Sequence, residues 1–253
     1  MMVPDPAAYT SHFVSHAGAV RSLNEDAYLE APDLGLWAIA DGMGGHEAGE
    51  LASRLVIDAL DSIRPEATCE GMVRQIRDRM AVANRRIREV SAMRFYGRLI
   101  GSTAAVLVIC GGTGVCLWAG DTRVYRYRGS VLNRLTRDHS RTEELIAMGV
   151  LEAHDAADSR FANVITRAVG VEDHLELEVR AESLESADLF LMCSDGLNKV
   201  VADEEIGEAV RSAGIDAATA LLELALSRAP ADNVTIGVIA AGGASETPTL
   251  VRG

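Results

Sequence analysis

Lysine is almost missing: Lys199 is the single lysine in a chain of 253 residues, and every other basic side chain is arginine. No GxxxxGK precedes it, so a Walker-type phosphate loop is excluded. Cysteine is also sparse. Cys69, Cys110, Cys116 and Cys193 form no CxxC pair, and no His or Cys cluster has zinc spacing. Three of the four sit in strongly apolar runs, so reduced core cysteines of a cytosolic protein are expected. Long apolar runs are lacking as well. The longest, Ala104 to Cys110, falls far short of the roughly 18 residues that span a bilayer, so no transmembrane helix is expected. Residues 1–6 carry neither the basic nor the apolar region of a secretory signal. Basic charge is outweighed, 24 residues against 37 acidic, a net −13. That field opposes nucleic acid and anionic membranes as partners. A soluble cytoplasmic protein follows.

About 48% of the chain is hydrophobic, enough for one large core. No repeat, linker or low-complexity block divides it. A single domain over residues 9–240 is expected, with flexible tails at 1–8 and 241–253.

The elements follow from apolar periodicity. Phe13-Val14, Ala27 to Leu29 and Leu36 to Ala40 read as strands, the last buried by composition. Ala52, Leu55, Val56, Ala59, Leu60 and Ile63 share one helical face, and Pro65 ends that helix. Val73 to Val90 continues the period in a second helix, whose arginines are spread around it and read as a solvated surface. Strands are expected at 103–109, 115–119, 123–127 and 131–135, with glycine-rich hairpins that force antiparallel pairing. Ser140 to Glu143 forms a capping box opening a short helix to Met148. Residues 149–163 are polar and irregular. Strands at 175–179 and 189–193, two amphipathic helices and a last strand at 234–240 complete the chain. The order predicts an α+β fold: a sandwich of two antiparallel sheets flanked by helix pairs.

The chemistry lies in aspartates at strand ends. Asp41, Asp121 and Asp195 each follow an apolar strand, and Asp232 precedes one. Each alone suits an ordinary turn. Four together must be neutralised by arginine or by divalent metal. All-oxygen ligands favour Mg²⁺ or Mn²⁺. Two such ions sharing an aspartate can generate hydroxide and clamp a phosphoryl group for in-line attack. Arg21, just before Asn24-Glu25-Asp26, is then a natural bidentate phosphate ligand. The glycine turn after Asp41 does not fit a dinucleotide fingerprint, because Glu47 takes the third glycine position and Asp41 would repel a pyrophosphate. Its glycines instead let backbone approach a metal, with the Gly42 carbonyl facing inward.

Eight segments in order now carry a resemblance: Arg21 to Asp26, Asp41-Gly-Met-Gly-Gly-His46, Gly101 to Ala104, Gly120-Asp-Thr-Arg-Val-Tyr125, Leu135 to His139, Ile165 to Gly170, Cys193-Ser-Asp-Gly196 and Asp232-Asn-Val-Thr235. The chain resembles the metal-dependent protein phosphatases of the PPM (type 2C serine/threonine) family in their short bacterial form. The resemblance implies a β-sandwich between helix pairs. It implies that Asp41 bridges two tight Mn²⁺ or Mg²⁺ ions, with the Gly42 carbonyl on one and Asp195 and Asp232 on the other. Glu25 acts through water, with Asp26 just behind it. Asp121 and Asp195 hold a third, weaker ion. Arg21 binds the substrate phosphate, and residues 139–163 form a flap beside the site. A bridging hydroxide attacks phosphoserine or phosphothreonine directly, without a phosphoenzyme.

Animal relatives carry a histidine two residues after the bridging aspartate, where this chain has Met43. The general acid is therefore unassigned, with water favoured over His46. His12, His16, His139, His154 and His174 are read as surface or capping residues. The implied partners are phosphorylated proteins, a serine/threonine kinase and its targets. Phosphatases encoded with type VI secretion systems are similar too, though the residues select no pathway. Two alternatives stand beside this reading: a silent phosphoprotein-binding pseudophosphatase, and a metallophosphoesterase acting on small phosphates.

Overall fold

A strand that is apolar on both faces has to be covered on both. The computed structural model describes residues 9–45, 47–152, 155, 161 and 164–241. In it β3 (Leu36–Met43) turns Leu36, Ala38 and Ala40 toward helices, and Trp37 and Ile39 toward a second sheet. Each fully buried Leu or Ile on such faces contributes about 2 kcal/mol.

One sheet runs β2 (Asp26–Ala31), β3, β5 (Ala104–Cys110), β6 (Thr113–Ala119) and β9 (Glu178–Ser183), with the two-residue β4 (Gly101–Ser102) beside the end of β3. The other runs β1 (Tyr9–His16), β11 (Val234–Ala241), β10 (Leu189–Cys193), β7 (Arg123–Arg128) and β8 (Val131–Arg134). All pairings are antiparallel. Helices α1 (Glu47–Asp61) and α2 (Cys69–Arg94) cover the first sheet through Ala52, Val56, Leu60, Ile76, Met80 and Ile87. Helices α5 (Asp203–Ala213) and α6 (Ala217–Ser227) cover the second through Ile206, Val210, Leu221 and Ala225. Between the sheets lie Phe13, Trp37, Leu107, Trp118, Phe190 and Met192. The expected α-β-β-α order is thus the observed one.

Several boundaries differ from expectation. Helix α1 stops at Asp61, four residues before Pro65, and α2 opens on the cap of Thr68, whose hydroxyl accepts from the Gly71 N–H at 3.0 Å. The strand expected at 175–179 sits at Glu178–Ser183, because pairing with β6 sets its register from Trp118↔Glu178 to Thr113↔Ser183. Ala241, expected in a tail, pairs with Tyr9 at the end of β11. Residues 1–8 and 242–253 lie outside the described residues.

The cysteine expectation is corrected in part. Cys116 and Cys193 are buried free thiols, but Cys69 and Cys110 form a disulfide. Cys69 opens α2 and Cys110 ends β5, which places their Cα atoms 5.5 Å apart, inside bridging range.

Ser140 caps α3 (Arg141–Ala147) as its sequence predicts, accepting from the Glu143 N–H at 3.2 Å. The segment after it leaves and returns at one point. The Arg141 N–H donates to the Val164 carbonyl and the Thr166 N–H to the His139 carbonyl, both at 2.8 Å. Much of the irregular stretch expected at 149–163 lies outside the described residues.

Candidate active site

The ends of β2, β3, β10 and β11 meet at one rim of the sandwich, and the acidic residues sit there. Asp26 and Asp41 face each other in the β2–β3 ladder. Thr103 fixes the second of these. Its hydroxyl accepts from the Asp41 N–H at 3.0 Å, and its own N–H donates to the Asp41 carbonyl at 2.8 Å. Thr103 Oγ1 also lies 2.6 Å from Thr122 Oγ1, which ties β3 to the turn that carries Asp121. That turn needs Gly120: its φ is +114°, and a Cβ there would stand 2.6 Å from the Thr103 side chain.

Asp26 Oδ2 accepts from Ser194 Oγ at 2.8 Å and Thr235 Oγ1 at 2.7 Å, while its buried Oδ1 has no partner. Asp195 opens the one-turn helix α4 (Asp195–Asn198). Its Oδ2 pairs with the Lys199 ammonium, and its Oδ1 is again buried and unpartnered, as is Asp121 Oδ1. Burial pushes the Asp26 carboxyl up to about 7; Thr235 and Ser194 pull it back, and Asp195 and Asp232 add repulsion. Asp121 is also pushed up to about 7, by burial first and then by Asp195. Asp41 is raised well above the carboxylate range by burial and by the charges of Asp26, Asp195, Asp121 and Asp232. Asp195 is raised by burial, with Lys199 opposing.

Asn233 builds the loop that brings in Arg21 and Glu25. Its side-chain amide donates to the Ala17 carbonyl at 3.0 Å and the Leu23 carbonyl at 2.9 Å, and its Oδ1 accepts from the Glu25 N–H at 2.8 Å. Arg21 then forks onto Asp232, with Nε–Oδ1 and Nη2–Oδ2 both at 3.2 Å. Gly42 and Gly49 permit the closest approach. A Cβ on Gly42 would stand 2.0 Å from the Gly49 carbonyl oxygen. A Cβ on Gly49 would meet Glu25 Oε2 at 2.7 Å and the Gly42 carbonyl oxygen at 2.9 Å. The Gly42 carbonyl and the Glu25 carboxylate therefore converge over the first turns of α1. Beside them opens a cavity of about 730 Å³, whose walls include Arg21, Met43, Leu99, Arg167, Lys199 and Val200.

All the residues singled out in the sequence, Arg21, Glu25, Asp26, Asp41, Gly42, Asp121, Asp195 and Asp232, come to this rim. His46 lies outside the described residues. Sequence reasoning missed the supports Thr103, Thr122, Ser194, Asn233 and Thr235, although all stand inside the quoted segments. It also misjudged His139, which is a held residue and not a surface one. His139 Nδ1 accepts from the Gly120 N–H at 3.2 Å, so Nε2 carries the proton toward Glu178 at 2.8 Å, and the ring stacks on Trp118. Arg123, two residues after Asp121, does not serve as its partner. Arg123 instead forks onto Asp138 at 3.0 and 2.6 Å, both side chains being largely buried. Removing one partner from such a pair strands a buried charge, so Arg123→Ala is expected to cost about 3 kcal/mol. Urea unfolding measures it; a loss below about 1 kcal/mol would show the pair to be solvent-screened.

Two facts decide what this site can hold. The donors are oxygens only, and three buried carboxylate oxygens, on Asp26, Asp121 and Asp195, lack any partner. That set fits hard divalent cations. Among the described residues, no three His, Cys, Asp or Glu side chains converge into a ready cage, because Asp195 and Asp232 face Lys199 and Arg21.

The protein phosphatase 2C family matches residues 15–226. The chain belongs to that family. The serine/threonine phosphatase stp of Listeria monocytogenes is 29% identical over 235 residues, 89% of this chain and 93% of that one. Among solved structures, PppA, described as a key regulatory component of T6SS in Pseudomonas aeruginosa, superposes with a TM-score of 0.85 at 40% identity, covering 93% of this chain and 98% of that one. The catalytic domain of the serine/threonine phosphatase PstP, solved with two manganese ions, gives 0.82 at 31% identity over 92% and 98% of the two chains. The sandwich is thus the fold of a protein phosphatase.

Proposed function

We propose that this protein phosphatase hydrolyses phosphoserine and phosphothreonine in proteins by direct attack of hydroxide on phosphorus, using two tightly held Mn²⁺ or Mg²⁺ ions and a third, weaker one. The reading is carried by the cluster of carboxylates that repel one another beside a cavity with room for a phosphorylated side chain. Bound there, the ions lower the pKa of water and neutralise the phosphoryl oxygens.

The chain's own residues do the rest. Asp41 would serve both tight ions, the Gly42 carbonyl and, through water, Glu25 would serve one of them, and Asp195 and Asp232 would serve the other. Asp121 with Asp195 serves the weaker position. Asp26, gripped by Ser194 and Thr235, ties β2 to β10 and β11 of the other sheet behind them. Arg21 presents its fork to two phosphate oxygens; it is half exposed on a loop pinned by Asn233, so it can turn from Asp232 to substrate. Met43 cannot supply a proton, so the leaving alkoxide takes one from water. The retention of Asp41, Asp195 and Asp232 speaks against a silent binding module.

Val164 to Ala168, which follow the stretch read as a flap, line the cavity and support placing that flap beside it. We place the protein in the cytoplasm, opposite a serine/threonine kinase, since phosphoryl donors are spent there; among the described residues no helix is long and apolar enough to cross a membrane. The likeness to PppA supports a link to type VI secretion.

Hydrolysis of a phosphothreonine peptide tests the function. EDTA is expected to abolish turnover without unfolding, and added Mn²⁺ to restore it. Full turnover in EDTA would overturn the metal chemistry. Faster hydrolysis of nucleotides than of the peptide would move the substrate class to small phosphates.

A further inference from the structure

Among 24 basic residues one is a lysine, and it stands inside the acidic cluster. Lys199 closes α4 one turn after Asp195, its N–H donating to the Asp195 carbonyl at 3.0 Å. That turn brings the ammonium back onto Asp195 Oδ2. Burial alone would push the lysine toward neutrality. The charges of Asp195, Asp121 and Asp232 reverse this and hold it firmly cationic. Lys199 in turn is the side chain whose positive charge offsets Asp121. Asp121 and Asp195, like Asp26, each keep one buried oxygen without a partner.

We propose that Lys199 is a tethered cation that competes with the third metal ion for Asp121 and Asp195. The inference rests on the metallophosphatase reading above and adds to it an internal regulator of metal demand. The chemistry favours lysine here over the arginine used everywhere else in the chain. An ammonium is a compact point charge on a flexible stem, able to enter and leave a position built for a small hard ion. A guanidinium fork is planar and needs paired acceptors. About a third of the Lys199 side chain is exposed toward the cavity, so it can swing out when an ion takes its place. Arg21 has the matching position on Asp232, but its fork is directed at phosphate and it makes no contact with Asp195 or Asp121 among the interactions of the described residues.

The experiment is a Mn²⁺ titration of the full chain, read by calorimetry and by the electron paramagnetic resonance of unbound Mn²⁺. It compares wild type, Lys199→Met, Lys199→Gln and the double variant Lys199→Met/Asp121→Asn, each checked for folding by thermal melting. Wild type and both single variants are expected to keep two tight ions. The weakest site is expected to tighten by about tenfold or more once the competing charge is gone, and the double variant to lose that gain. Equal weak-site affinity in wild type and the single variants, with the tight ions intact, overturns the proposal alone. Loss of the tight ions in both single variants overturns it too, by making Lys199 a support of Asp195. A gain that survives Asp121→Asn overturns the placement. Absence of any Mn²⁺ uptake by wild type overturns the metallophosphatase reading and this inference with it.

Discussion

Asp195→Asn is expected to remove nearly all turnover, whereas Arg21→Ala is expected to weaken substrate engagement and leave metal uptake intact. On the proposed reading Asp195 would serve two cation positions at once; it sits buried at the start of α4 and has one carboxylate oxygen with no protein partner. An amide in its place keeps the shape but loses the charge, and its NH₂ would point at a cation. Metal ions supply several kcal/mol of transition-state stabilisation. At about 1.4 kcal/mol per decade, kcat should fall by about a thousandfold or more. Arg21 is different. It is half exposed, reaches the site from a loop, and contacts one carboxylate, Asp232. On the proposed reading its loss would remove a bidentate, charge-assisted contact with phosphate, so KM should rise by about tenfold or more with a smaller effect on kcat. Calorimetry of Mn²⁺ binding separates the two variants. If Arg21→Ala loses metal as badly as Asp195→Asn, Arg21 belongs to the metal framework and not to the phosphate.

The carboxylates were legible because each ends an apolar strand, and an acid placed there has to be neutralised. What holds them was not. Asn233, Thr103, Thr122 and Ser194 are neutral polar residues with no periodicity, and their roles exist only once three or four strand ends meet. The same limit shaped the fold. The run Leu36 to Ala40 declares a strand buried on both faces, and the hairpins at Gly111-Gly112 and Gly129-Ser130 declare antiparallel neighbours. Yet β6 and β7, three residues apart, lie in different sheets. Short connections usually join neighbours; here the positive φ of Gly120 turns the chain across the sandwich. Strand β9 is an edge strand rich in Glu and Arg, and such strands are polar to discourage further pairing, so its apolar signal is weak and its place is set by β6. Cys69 and Cys110 are 41 residues apart, and only the docking of α2 beside β5 brings them together.

Treated with EDTA, the protein should lose stability as pH rises from about 5 to about 8, on the order of 3 kcal/mol, and Mn²⁺ should return it. The sign follows from carboxyls whose folded pKa is raised. Asp26 and Asp121 are pushed up to about 7, Asp41 is raised as well, and in the unfolded chain all three titrate near 3.8. Below the unfolded value they are protonated in both states and the folded state is unpenalised. Above it the unfolded chain releases protons freely, while the folded chain must keep them or bear buried, mutually repelling charges. The penalty grows until the pH passes about 7 and then levels. One such carboxyl alone accounts for about 3 kcal/mol between about pH 5 and about pH 8. Three neighbours share charge, so their penalties do not add. His139 works the other way. Burial lowers its pKa despite Glu178, so the folded state loses some stability as pH falls through the ordinary histidine range. Glu205, held at about 2 by Arg228, contributes equally across the window and changes only below it. A divalent cation binds the carboxylate form alone, so stabilisation by Mn²⁺ should increase across the same pH range. Asp41→Asn supplies the decisive control. Without that charge the EDTA-treated variant should be more stable than wild type at pH 8, and with Mn²⁺ present it should be less stable. Urea unfolding at pH 5 and pH 8, with EDTA or with Mn²⁺, measures all four corners. A wild-type stability that is flat or rising with pH in EDTA, or an Asp41→Asn variant less stable than wild type under both conditions, would mean that these carboxylates are already neutralised within the protein and that no cation is needed to relieve them.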